Sequence, residues 1–170
     1  ATGKPVILVV FGGRAQVVSG LAERCAAVIQ AWYPGEEGGN AVADILYGNI
    51  SPSAKLSVSY PNEEVYEAMC YNYSAERDPR VQWPFGYGLS YTTFGYEGFE
   101  MDADGSTSDK YVSLSFKVTN TGSVAADEIV QIYVSPSEEG QNIRPIQLQG
   151  FARVSLEPGQ TKKVKAKLYT

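Results

Sequence analysis

The apolar residues of this chain change their spacing partway along, and that change limits the fold more than any single motif. Before Trp83 they come in continuous runs and helix-spaced sets; after Phe94 they alternate. A continuous β-branched run suits a strand covered on both faces in a parallel sheet, whereas strict alternation suits antiparallel strands with one wet face. Between the two regimes lies Trp83-Pro84-Phe85-Gly86-Tyr87-Gly88-Leu89-Ser90-Tyr91-Thr92-Thr93-Phe94, with five aromatics, two glycines and a proline. Proline and glycine prevent a long regular element there, and the rings need somewhere to bury. The stretch reads as a packed seam between an α/β part and an all-β part. A turn with an ordinary hydrophobic anchor is the alternative.

Composition sets the outer bounds. The 170 residues suffice for one large or two small domains, and 44% hydrophobic with 19% charged residues can bury a core. The net charge is -5, and no Lys/Arg stripe stands out. That argues against nucleic acid and against an anionic membrane surface as partners. No apolar run approaches the roughly 18 residues of a membrane-spanning helix. Ala1-Thr2-Gly3-Lys4-Pro5 leads straight into a strand without a signal peptide, which a secreted protein would have lost. There is no histidine, which excludes Ser-His-Asp and Cys-His catalysis and histidine metal sites within these residues. Cys25 and Cys70 do not have metal-ligand spacing; Cys25 is read as a small buried hydrophobe on a helix, with pairing to Cys70 as the alternative.

In the first part, Val6–Phe11 reads as a strand buried on both faces, ended by Gly12-Gly13. Val17, Val18, Leu21, Cys25 and Val28 are spaced for a helix from about Ala15 to Ala27. The glycine turn matches neither the GxxxxGK[ST] nor the GxGxxG phosphate pattern, so it is a tight strand-to-helix turn. Ala27–Trp32 is a second strand, and Ala41–Gly48 a helix closed by Gly48. Glu36 and Glu37 before that helix are read as capping and dipole compensation, against the alternative of a paired-carboxylate site. Lys55–Tyr60 alternates like a third strand. Asn49-Ile50-Ser51 and Asn72-Tyr73-Ser74 match the glycosylation acceptor pattern, one common by chance. Residues 61–82 form an irregular excursion.

In the second part, strands are expected at Phe94–Met101, Tyr111–Val118, Glu128–Val134, Gln147–Leu156 and Thr161–Tyr169, separated by turn-rich segments. That regular spacing indicates a β-sandwich, with five strands a small number for one.

Trp32-Tyr33-Pro34-Gly35-Glu36-Glu37-Gly38-Gly39-Asn40-Ala41, Ser51-Pro52-Ser53-Ala54-Lys55-Leu56 and Pro84-Phe85-Gly86-Tyr87-Gly88-Leu89-Ser90-Tyr91-Thr92 resemble, in order and spacing, glycoside hydrolase family 3 of the β-glucosidase type. Val118–Gly122, Val130–Val134 and Gln149–Gln160 resemble the fibronectin type III-like domain that follows the catalytic body in that family. Ala54 and Ser57 depart from the Gly and Pro common at those places. The resemblance implies residues 1–91 as the C-terminal part of the family's α/β-sandwich. It implies residues 92–170 as a fibronectin type III-like domain truncated at its C-terminus.

The family's aspartate nucleophile belongs to a barrel domain and its acid/base carboxylate to an upstream segment. No catalytic residue is therefore assigned here, and no metal or cofactor is expected. The intact enzyme would be a retaining, exo-acting β-glycosidase acting on β-linked glucosides or related oligosaccharides, with two carboxylates about 5–5.5 Å apart. Its location is expected to be periplasmic or secreted. Tyr66, Tyr71, Tyr73 and Arg77, in the excursion, are the candidates for touching substrate or the missing barrel. Packing or a plain surface loop is the competing reading. A non-catalytic module that binds carbohydrate or protein is the alternative function.

Overall fold

In the computed structural model, residues 3–62, 71–72, 78–102, 111–134 and 147–169 are described. Contacts divide the chain into two units, Ala1–Asn49 with Leu56–Tyr87 and Ile50–Lys55 with Gly88–Thr170.

The first unit starts with the apolar run. Strands β1 (Ile7–Phe11) and β2 (Ala27–Trp32) pair in parallel from Ile7↔Ala27 to Phe11↔Trp32, with a register irregularity at Val10/Phe11. Coverage on both faces is not what this unit provides: Val10 is buried, but Ile7 is exposed and Phe11 is 56% exposed. Two strands cannot cover a run that is apolar on each side.

The expected helix from Ala15 to Ala27 shrinks to one turn, α1 (Ser19–Ala22). The backbone N–H of Cys25 donates to the Ala22 carbonyl (3.0 Å), and that of Ala26 to the Val6 carbonyl (2.7 Å), so the chain is already turning into β2. Cys25 consequently lies outside the helix, half-buried and with a free thiol. Trp32 ends β2 in the left-handed region (φ 52°), at about 1–2 kcal/mol for a residue with a Cβ. Its carbonyl accepts the Gly12 N–H (3.1 Å), and its ring meets Tyr60 edge-on at 6.2 Å.

Helix α2 (Gly38–Leu46) ends as expected, with Gly48 in the left-handed region and its N–H on the Ile45 carbonyl (3.0 Å). Its start differs from expectation. Glu37 occupies the N-cap position without a side-chain cap and instead accepts a hydrogen bond from Asn40 Nδ2 (2.6 Å). The entry is shaped by close packing: a Cβ on buried Gly38 would collide with the Pro34 ring.

The expected Lys55–Tyr60 strand is only Tyr60–Pro61, β3, paired antiparallel with β4 (Val81–Trp83). Upstream, Leu56 N–H donates to the Tyr87 carbonyl (2.8 Å) and Ser59 N–H to the Tyr71 carbonyl (2.6 Å). These partners come from two separate segments, so no ladder forms.

The second unit contains β5 (Phe94–Asp102), β6 (Tyr111–Asn120), β7 (Ala126–Val134), β8 (Gln147–Leu156) and β9 (Thr161–Tyr169). They form an antiparallel β5-β6-β9 sheet and an antiparallel β7-β8 pair. Phe116, Val118, Val130, Ile132, Val154, Leu156 and Val164, drawn from both sheets, make one buried core. Gly98 (φ 64°) takes up the bulge in β5, and the following Phe99 stacks on Phe116 at 5.2 Å.

Asn120 is fully buried and saturated. Its Nδ2 donates to the Val124 (2.8 Å) and Leu156 (3.0 Å) carbonyls, and its Oδ1 accepts from Thr92 Oγ1 (2.7 Å) and Gly122 N–H (3.1 Å). Gly122 has no room for a Cβ beside Thr92, which explains the Thr121-Gly122 turn.

Alternation puts Lys163, Lys165 and Lys167 together on β9, the charged face of the alternating strand expected there, opposite Val164, Ala166 and Leu168. Lys163 pairs with Glu100 at 2.9 Å, and Lys167 sits 4.3 Å from the Tyr111 ring centroid. β9 is an edge strand of its sheet, where lysines discourage further pairing.

Candidate functional site

Of the sequence candidates, Tyr71 is described, and Tyr66, Tyr73 and Arg77 lie outside the described residues. Tyr71 is 58% exposed and meets Phe85 edge-on with ring centroids 5.4 Å apart. Phe85 is fixed in turn by its N–H, which donates to Ser59 Oγ (3.0 Å). The Pro84–Tyr87 segment is thus laid along Leu56–Ser59, and Tyr71 rests on it through Phe85.

The return from the excursion is pinned by charge. Arg80 donates through Nε to Asp78 Oδ1 (2.9 Å) and through a terminal nitrogen to Oδ2 (2.7 Å), a two-pronged pair on a buried acid. The Arg80 N–H adds a third bond to Oδ1 (3.0 Å). The Arg80 side-chain bonds hold the Asp78 carboxyl below its ordinary range. This acid is tied up as a structural fastener.

Tyr60 is the hub of the first unit, 2% exposed between Trp32 and Trp83, the latter at 5.8 Å. Burial pushes its hydroxyl up to about 12, and among the described residues that hydroxyl has no hydrogen-bond partner. Glu36 and Glu37 stay at the exposed helix entry. Among the described residues no group of three or more His, Cys, Asp or Glu side chains gathers to hold a metal.

The second unit has a cluster that the sequence reading missed. Lys55 Nζ lies 3.3 Å from Glu128 Oε2 and donates to the Gly88 carbonyl (3.1 Å), while the Tyr96 hydroxyl donates to Glu128 Oε1 (2.8 Å). Burial first, and the bond to Glu128 second, raise Tyr96 well above the usual tyrosine range. A signal was available: Glu128 stands in step with Val130 and Ile132, so the alternation that buries them also turns the acid inward. No helix among the described residues is long and apolar enough to cross a membrane.

Comparison with known proteins gives this geometry its context. Residues 1–91 match the glycosyl hydrolase family 3 C-terminal domain, and residues 128–170 match the fibronectin type III-like domain. A beta-xylosidase of Formosa agariphila is 35% identical over 178 residues, covering 98% of this chain and 25% of the relative. A periplasmic beta-glucosidase of Salmonella typhimurium is 34% identical over 183 residues, covering 96% of this chain and 24% of the relative. Among solved structures, beta-glucosidase from Kluyveromyces marxianus in complex with glucose superposes with a TM-score of 0.79 at 34% identity, covering 96% of this chain and 22% of that one. The chain therefore spans about a quarter of the length of the relatives it matches. With its first 91 residues carrying the C-terminal domain of that family, the chain belongs to glycosyl hydrolase family 3.

Proposed function

We propose that this chain is the C-terminal portion of a retaining, exo-acting β-glycosidase of the β-glucosidase or β-xylosidase type. In this reading the catalytic carboxylates belong to a barrel domain and an upstream segment that these residues do not include. The observation that carries it is the coverage: 98% of the chain aligns with a beta-xylosidase, yet only 25% of that enzyme is spanned. The exposed apolar side chains of β1, Ile7 and Phe11, agree with a sheet that continues elsewhere.

Residues 1–91 serve as the last part of the α/β domain and residues 92–170 as the fibronectin type III-like domain. This division is supported by the family match that ends at residue 91 and by the second match over residues 128–170; the contact division falls a few residues earlier, between Tyr87 and Gly88, and groups Ile50–Lys55 with the second unit. The substrate is a β-linked glucoside or related oligosaccharide, met in the intact enzyme. Tyr71, Tyr73 and Arg77 are the residues here assigned to line that contact or to face the barrel, Tyr71 because its ring is anchored at one edge and open elsewhere. A periplasmic or secreted location is supported by the periplasmic relative.

The test is the purified chain assayed on aryl β-glucosides and β-xylosides. It should show no turnover above a blank. Turnover abolished by replacing a carboxylate within these residues overturns the reading. Titration calorimetry with β-linked oligosaccharides covers the alternative of a free-standing binding module, for which specific heat of binding is the signature.

A further inference from the structure

The strands of the second unit bury an acid that they do not themselves neutralise. Glu128 is 8% exposed on β7, in step with core residues Val130 and Ile132. Its oxygens take the Tyr96 hydroxyl from β5 and the Lys55 ammonium. Among the described residues no other basic side chain forms an ion pair with it.

Lys55 does not belong to a sandwich strand. It closes Ile50–Lys55, a short segment that groups with the sandwich although the residues on either side of it group with the first unit. Fasteners hold both ends of that segment. Ser51 Oγ shares a hydrogen bond with Ser90 Oγ (2.9 Å) and accepts the Tyr91 N–H (3.0 Å), while Lys55 Nζ reaches the Gly88 carbonyl (3.1 Å). Beside Lys55, the Ala54 carbonyl presses on Gly88 so closely that no Cβ would fit there.

We infer that Ile50–Lys55 is a strap of the sandwich's own folding unit, and that Lys55 is a positioning residue whose charge allows Glu128 to stay inside. A buried carboxylate stripped of its cation is far more costly than the intact pair is stabilising. Tyr96 alone does not replace the cation, since one neutral hydroxyl satisfies one oxygen of the carboxylate. The strap therefore supplies through the chain what the five strands lack.

The experiment is native-state hydrogen exchange on the full chain. Lys55→Met should accelerate exchange of the β5 and β7 amides roughly 100-fold, the scale of losing one partner of a buried pair, and leave β1 and β2 unchanged. Lys55→Arg, which keeps the charge, should stay within about threefold of the parent chain. Adding Glu128→Gln to Lys55→Met should recover at least about tenfold, because the second change removes the stranded charge; a role in packing alone predicts no recovery. An effect confined to β1 and β2, unchanged β5 and β7, or a double variant no better than the single one would overturn the inference. If Lys55→Met yields no folded protein, the double variant decides: folded supports the strap, unfolded overturns it.

Discussion

Phe11 and Phe116 are the same side chain, each on a β-strand, yet Phe11 is 56% exposed and Phe116 is 2% exposed. The difference follows from how each unit gathers covering layers. In the second unit the alternating strands make two sheets from nearby sequence, and the inward rows of one close on those of the other. In the first unit the apolar run forms half of a two-stranded parallel sheet, and its side chains point to both faces. Antiparallel alternation needs one cover; a parallel strand with a continuous apolar run needs two. The sandwich thus closes its core with its own strands, whereas β1 leaves Ile7 and Phe11 uncovered by this unit.

The widest expected contrast is between the two phenylalanines. Phe116→Ala should cost about 3–5 kcal/mol of sandwich stability, the usual range for emptying a buried phenyl site, while Phe11→Ala should change stability by no more than about 0.5 kcal/mol. Urea unfolding followed by hydrogen exchange at β6 and β1 separates the two; equal losses would break the comparison.

Two tyrosines, Tyr96 with its hydroxyl bonded to Glu128 and Tyr60 with its hydroxyl buried, give a smaller contrast with opposite signs. Tyr96→Phe removes the hydrogen bond to buried Glu128 and should destabilise the second unit by about 1.5 kcal/mol, the lower end for a bond to a charged group. Tyr60→Phe removes a buried hydroxyl that has no partner among the described residues and should be neutral or stabilise the first unit by up to about 1 kcal/mol. Matching chemical-denaturation midpoints for both variants would show that the two hydroxyls do not differ as described.

Effects of pH should fall at opposite ends of the scale. The Tyr60 pKa is raised in the folded state from 10.0 to about 12. Its contribution is fully present below the unfolded value and is lost as pH climbs through that window. Asp78 is shifted the other way by Arg80, so its contribution is present above the ordinary carboxylate range and is lost as pH falls through the lowered folded value. Alkaline melts of Tyr60→Phe and acid melts of Asp78→Asn should each flatten the corresponding limb for β1–β4, leaving β5–β9 unchanged. A flattened limb in the sandwich instead would assign these groups to the wrong unit.

The second unit was far more legible than the first. Gln147–Leu156 and Thr161–Tyr169 were expected with the bounds they have, and the other three strands within about two residues at each end. Alternation is a local signal, and each antiparallel strand satisfies it residue by residue. The first unit misled in two places because distant segments overrode local spacing. The bond from Ala26 N–H to Val6 cut the helix to Ser19–Ala22, and partners in residues 71 and 86–87 kept Leu56–Ser59 from becoming a strand. The Lys55–Glu128–Tyr96 cluster escaped for the same reason, since its members are brought together only by folding. Tyr71 was named from the sequence, but its contact with Phe85 was not, because nothing in the spacing places them side by side.

The Trp83–Phe94 stretch shows how the work is divided. Its sequence alone determined that no long element runs through it and that the apolar period changes across it, because proline, glycine and alternation act within a few residues. Family membership was also legible there, since the motif is a linear string. Only the tertiary structure decided what its residues do: Phe85 carries Tyr71, Gly88 receives Ala54 and Lys55, Ser90 holds Ser51, and Thr92 completes Asn120. Each of these partners lies at least 14 residues away in sequence. Hydrogen bonds and close contacts depend on distance in space, which local composition does not encode.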